Sequence, residues 1–223
     1  MKRTKLRERT LPAYTFAEEK ANMVTHIVGG AMGLTVLILC TLKALRKEDF
    51  LTVTGALIYG LSIVALYTVS SIYHGLRPGT AKKVMQVVDH CTIYFLIAGT
   101  YTPVMLTSFV PAYPAIGWGL LAGEWLLLAV ACTLTAIDLR KYRVFSNICY
   151  ITMGWGIIFF VDKAIKLMGD QGFALLLSGG IAYTIGAILF AIGVKKHWFH
   201  ALFHIFVVIG SLLQFLAIYV FVL

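Results

Sequence analysis

Seven apolar runs, each about the length that crosses the hydrocarbon core as a helix, follow one another along the chain with short polar clusters between them. They read as Met23 to Leu45, Leu51 to Leu76, Val84 to Leu106, Ile116 to Ile137, Val144 to Val161, Phe173 to Val194 and Phe199 to Leu223. Runs of this kind are helices because lipid offers no partner to a free backbone N–H or C=O, and only a helix or a closed barrel satisfies those groups internally. The pattern predicts an all-α integral membrane protein, a bundle of seven transmembrane helices with no soluble domain. Residues 1–22 form a basic N-terminal segment and residues 23–223 the membrane domain. The first apolar run is too long for a signal-peptide core and has no small-residue cleavage site, so it is kept as the first span.

Composition agrees: 60% of the 223 residues are hydrophobic and only 13% charged, against about a quarter charged in soluble domains. The formal charge of +9 does not indicate nucleic acid, because the cations flank the apolar runs, where they set orientation and meet anionic lipid headgroups. Fourteen of the 19 Lys and Arg residues fall on one side: six from Lys2 to Lys20, then Arg77, Lys82, Lys83, Arg140, Lys141, Arg143, Lys195 and Lys196. Lys43, Arg46, Lys47, Lys163 and Lys166 are left for the other. The positive-inside rule puts the N-terminus in the cytoplasm and the C-terminus outside. The four cysteines, Cys40, Cys91, Cys132 and Cys149, form no C-x-x-C and no disulfide framework. Gly29 with Gly33, and Gly119 with Gly123, have G-x-x-x-G spacing; packing within the monomer explains it, and it leaves a homo-oligomer open. Pro103 and Pro111 are explained by a kink or a helix stop near the outer end of the third span.

All six histidines fall on the cytoplasmic side of this topology. His200 and His204, four residues apart, share a helical face and can reach one ion. Ser70 and His74 form a second same-face pair. Asp89 is an ionisable residue inside a span, costly unless paired or functional; pairing with Lys82, Lys83 or a histidine is the plain alternative. At a rise of roughly 1.5 Å per residue these groups occupy one thin slab just inside the cytoplasmic boundary. Three imidazoles, His74, His200 and His204, suit zinc, and three protein ligands plus water is the arrangement of a catalytic site. Only ligand type favours zinc over copper, nickel or iron. Asp89 could orient water and take its proton, and Ser70 could support an oxyanion or a ligand imidazole. His26 is a candidate to support a ligand, His90 reads as packing and His197 as a solvated loop residue. Cys91 reads as a small buried hydrophobe. Glu124, near the middle of the fourth span, has no evident role.

Glu19-x-x-Asn22-x-x-Thr25-His26, Ser70-Ser-Ile-Tyr-His74, Asp89-His-Cys-Thr-Ile-Tyr-Phe-Leu-Ile-Ala-Gly-Thr-Tyr-Thr-Pro103 and His200-Ala-Leu-Phe-His204 resemble, in order, the motifs of haemolysin III-like proteins, the bacterial branch of the progestin and adipoQ receptor family. The resemblance implies a multi-pass cell-membrane protein with seven helices and a cytoplasmic N-terminus. It also implies zinc held by His74, His200 and His204, with Asp89 holding a water. Relatives in the wider superfamily are linked to hydrolysis of lipid amides, and bacterial members to membrane homeostasis. Three functions follow as expectations: a zinc-dependent hydrolase of a lipid acyl or amide bond, a non-enzymatic homeostasis protein with structural zinc, and a haemolysin-type pore. The long soluble N-terminal region of the animal receptors has no counterpart here, so hormone recognition is not expected.

Overall fold

Thr15 starts the first helix by a reciprocal cap: its hydroxyl accepts from the Glu18 N–H while the Glu18 carboxylate accepts from the Thr15 N–H. This capping box begins α1 (Phe16–Leu45) well before the apolar run at Met23, so its first two turns carry Glu18, Glu19 and Asn22. Asp49 caps α2 (Phe50–Gly75) one-sidedly, its carboxylate accepting from both the N–H and the hydroxyl of Thr52. The computed structural model describes residues 4–193 and 196–223. The cations Lys2, Arg3 and Lys195, and Val194 at the end of the sixth apolar run, lie outside the described residues.

The third element, α3 (Thr80–Val104), carries Pro103 in its last turn and continues through a π-helical turn, Met105–Phe109, to Ala112. Proline removes a ladder hydrogen bond and crowds the preceding turn, and the wider turn follows directly. The same proline packs against α2, where a methyl on Gly55 would lie 2.8 Å from the Pro103 Cα. Then come α4 (Pro114–Asp138), α5 (Arg143–Trp155) with a 3-10 turn at Gly156–Phe160, α6 (Val161–Gly193) and α7 (Phe199–Phe221).

Among the described residues, six helical runs are long and apolar enough to cross a membrane. One of them, Arg143–Gly193, has 51 residues; at 1.5 Å per residue that is roughly 75 Å, more than twice a bilayer core of about 30 Å. It is interrupted at Gly169, whose backbone (φ 72, ψ 166) is not helical. That region of dihedral space is essentially confined to glycine.

Close approach of small residues holds the bundle together, because apolar burial gives little drive between helices already in lipid. Gly29 lies against Tyr67, where an added methyl would be 2.5 Å from the ring, and Gly33 meets Ile63. This G-x-x-x-G pair therefore serves packing between α1 and α2. Gly119 and Gly123 differ: among the described residues, nothing lies within 4 Å of either added methyl. The outer surface carries exposed apolar side chains such as Ile38, Leu126, Val144 and Ile188. The polar residues collect at one end, where α2 finishes, α1, α3 and α7 begin, and the N-terminal segment crosses.

Candidate metal centre

His200 and His204 leave the first turns of α7, and His74 the last turn of α2. All three are buried. Their Nε2 atoms converge: His200 lies 3.4 Å from His74 and 3.1 Å from His204. The three ligand atoms all fall within 4.8 Å of one another.

Hydrogen bonds at the far side of two rings fix what these nitrogens can do. His74 Nδ1–H donates to Glu19 Oε2 at 2.6 Å, and His204 Nδ1–H donates to the Asn22 carbonyl at 3.2 Å. A neutral imidazole carries one proton, so both Nε2 atoms present lone pairs to the shared centre. His200 could donate one proton to only one of them, and its Nδ1 is buried with no partner among the described residues. Converging lone pairs at this separation repel unless a cation stands between them, and the donor set fits a borderline-soft divalent metal. Glu19 is itself anchored, with Oε1 2.7 Å from Lys82 Nζ, and Lys82 also donates to the Leu76 carbonyl at 3.0 Å. The chain Lys82–Glu19–His74 is the carboxylate–histidine arrangement that fixes ring orientation and raises ligand basicity.

Rings brace the site from two sides. His26 stacks on His204 with centroids 3.6 Å apart and planes at 12°, and Tyr14 stacks on His200 at 4.8 Å. Among the described residues, both buried His26 nitrogens have no partner, and His26 reaches the site through its face. Burial raises the Tyr14 phenol above its ordinary range, which keeps it a neutral hydrogen-bond donor at physiological pH.

Asp89 is brought from α3 to the same end, where the Ser70 hydroxyl of α2 acts electrostatically on its carboxylate. The lysines proposed as its plain partners go elsewhere: Lys82 to Glu19, and Lys83 to the Arg7 carbonyl at 2.8 Å. His90 is turned to the Gln86 carbonyl at 2.8 Å, with Nδ1 3.9 Å from Asp89. His197, largely exposed, donates to Glu18 at 3.0 Å. Cys91 lies beside Cys132 of α4, each thiol directed at the other's carbonyl. Glu124 is buried away from this end near Tyr101 and Gly156, with Oε2 unpartnered.

A cavity of about 490 Å³ opens beside the histidines, with Asp89 and His200 in its lining and Tyr14 in its wall. Reasoning from sequence alone did not assign Glu19, Asn22, Lys82 or Tyr14 to the site. The available signal was the spacing of Glu19, Asn22 and His26, at i, i+3 and i+7 on one face of α1.

Residues 14–215 match the family described as Haemolysin-III related. The chain is 35% identical to Hemolysin-3 of Bacillus cereus over 92% of each chain. It is 32% identical to a Hemolysin-3 homolog of Bacillus subtilis, covering 92% of this chain and 94% of that one. It is also 28% identical to the Monocyte to macrophage differentiation factor of Homo sapiens, covering 92% and 84%. With its several apolar membrane-length helices, it is a multi-pass membrane protein, and it belongs to the haemolysin III-related family, within the progestin and adipoQ receptor proteins.

Proposed function

We propose that the chain is a zinc-dependent hydrolase that cleaves an acyl or amide bond of a membrane lipid at the cytoplasmic face. The observation that carries this reading is the convergence of three imidazole Nε2 atoms within 4.8 Å at a cavity that also contains a carboxylate. His74, His200 and His204 would hold the metal. A zinc ion in such a position polarises a carbonyl oxygen and makes water acidic enough to ionise near neutral pH.

The rest falls to the chain's own groups. Asp89 accepts the proton of the attacking water and returns it to the leaving oxygen or nitrogen. Ser70, one helical turn from His74 on α2, is placed to support the Asp89 carboxylate, and Glu19 and the Asn22 carbonyl hold two ligand rings in the tautomer that binds. Tyr14, stacked on His200, supplies a neutral hydroxyl at the cavity wall. Water adds across the scissile bond: the acyl carbon gains the oxygen, and the leaving group gains the proton.

The same reading has seven passes, a cytoplasmic N-terminus and an external C-terminus. The charge asymmetry supports this orientation. The break at Gly169, between residues 143–168 and 170–193, supports two crossings within the 51-residue run.

A second reading, zinc as a structural tie between α2 and α7 in a non-enzymatic homeostasis protein, draws on the burial of all three histidines. Structural sites, however, are closed by four protein ligands, and here one side of the triad adjoins a cavity. Asp89→Ala separates the two: the hydrolase reading expects metal content close to wild type with lipid turnover reduced about 100-fold or more. Turnover at the wild-type rate by Asp89→Ala, or by metal-free protein, would overturn it.

A further inference from the structure

The cavity beside the histidines is lined by four cationic side chains, Arg9, Arg140, Arg143 and Lys196. Its two carboxylates do not neutralise them. Glu18 is committed to the Thr15 and Trp198 N–H groups, at 2.9 and 2.7 Å, and to His197; Asp89 lies beside His90, 3.9 Å from its Nδ1. Among the described residues, no ion pair includes any of the four cations.

Arg9 differs from the ordinary basic fringe of a membrane protein. It is only 8% exposed, and the N-terminal segment carries it there by design of its contacts: the Thr4 N–H donates to Asp138 at 2.7 Å and Lys83 to the Arg7 carbonyl. Its guanidinium donates to the Ile137 carbonyl at 3.0 Å, at the end of α4, while its Nε is buried with no partner among the described residues. The end of a helix dipole offsets only part of a positive charge, and a buried cation is stabilised further by an anion beside it. Such a cluster suits an anion with several acceptor oxygens, which guanidinium groups bind by paired hydrogen bonds.

We infer that the cavity mouth binds the phosphate of an anionic glycerophospholipid through Arg9, Arg140, Arg143 and Lys196, which makes an acyl ester of that lipid the bond presented to the histidines. In such a lipid the acyl carbonyls lie a few bonds inward of the phosphate. In the cavity, the exposed Arg140 and Arg143 flank the turn between α4 and α5 and the exposed Lys196 precedes α7, while His200 is buried. Hydrolysis adds one water: the ester C–O bond breaks, the acyl carbon takes the oxygen as a fatty acid, and the glycerol oxygen takes a proton, leaving a lysophospholipid. The ester step rests on the hydrolase reading; the headgroup site does not.

The test is equilibrium binding to the purified full-length protein in neutral detergent, with three probes: dioleoylphosphatidylglycerol, dioleoylglycerol without a phosphate, and inorganic phosphate. The phospholipid is expected to bind about tenfold tighter than dioleoylglycerol, the equivalent of one charge-assisted hydrogen bond. Arg9→Gln is expected to remove most of that preference. Arg140→Gln combined with Arg143→Gln, both at exposed positions, is expected to reduce it about threefold or more and decides the matter if Arg9→Gln fails to fold. His204→Ala is expected to keep it while losing metal. Equal binding of the two lipids, or a preference unmoved by the arginine changes, overturns the inference. So does free phosphate binding as tightly as the phospholipid, which would mark a site for the soluble ion. A preserved preference without any lysophospholipid release supports the headgroup site and counts against the hydrolase reading alone.

Discussion

Glu19 Oε2 accepts a hydrogen bond from His74 Nδ1 at 2.6 Å, and this contact decides which nitrogen of His74 faces the shared centre. Removing such a carboxylate from behind a ligand histidine typically costs 10–100-fold in metal affinity. Glu19→Gln keeps the volume and weakens the pull on the ring, so zinc affinity is expected to fall by about tenfold or more. Competition with a chromophoric chelator measures it. Affinity within twofold of wild type would show that Glu19 serves the Lys82 pair alone.

Gly169 gives a test of the long helical run. An added methyl meets nothing within 4 Å, yet its backbone has φ 72 and ψ 166. Gly169→Ala is therefore expected to destabilise the protein by about 1–3 kcal/mol through backbone strain alone. Thermal unfolding in detergent reads this out, with Gly180→Ala, another glycine whose added methyl meets nothing, as the unstrained comparison. Equal melting temperatures for the two variants would mean that the run does not turn at Gly169.

Sequence pattern made the helices legible because lipid leaves the chain so few alternatives. Helix boundaries on the polar side were less visible: the Thr15 cap starts α1 before its apolar run, since capping depends on Thr15 and Glu18 and not on hydropathy. The three histidines were legible from helical spacing and depth. Glu19 and Asn22 were not assigned, because each acts across helices, Asn22 through its backbone carbonyl, and no local periodicity records such a contact. The cationic cavity was hidden for a similar reason. Arg9 reads as one more basic residue in the N-terminal segment until the fold carries it to the end of α4.

At the other end of α2, Asp49 accepts from the Thr52 N–H at 2.8 Å and its hydroxyl at 2.6 Å. These bonds hold its carboxyl below the usual carboxylate range. A lowered folded-state value means the cap stabilises fully above the unfolded pKa, about 3.9 for Asp, and is lost as pH falls through the folded value. Asp49→Asn caps without titrating. The melting temperature of the wild type relative to Asp49→Asn is therefore expected to fall between pH 5 and pH 2.5. A constant difference across that range would remove Asp49 from the acid response.

Metal stoichiometry tests the central claim most directly. Protein purified without chelators and analysed by inductively coupled plasma mass spectrometry is expected to contain about one zinc per chain. The signal should be lost when His74, His200 and His204 are replaced together by alanine in a variant that still elutes as folded protein. A wild-type chain that takes up no zinc from a replete buffer, or a folded triple variant that retains its zinc, would contradict the metal centre.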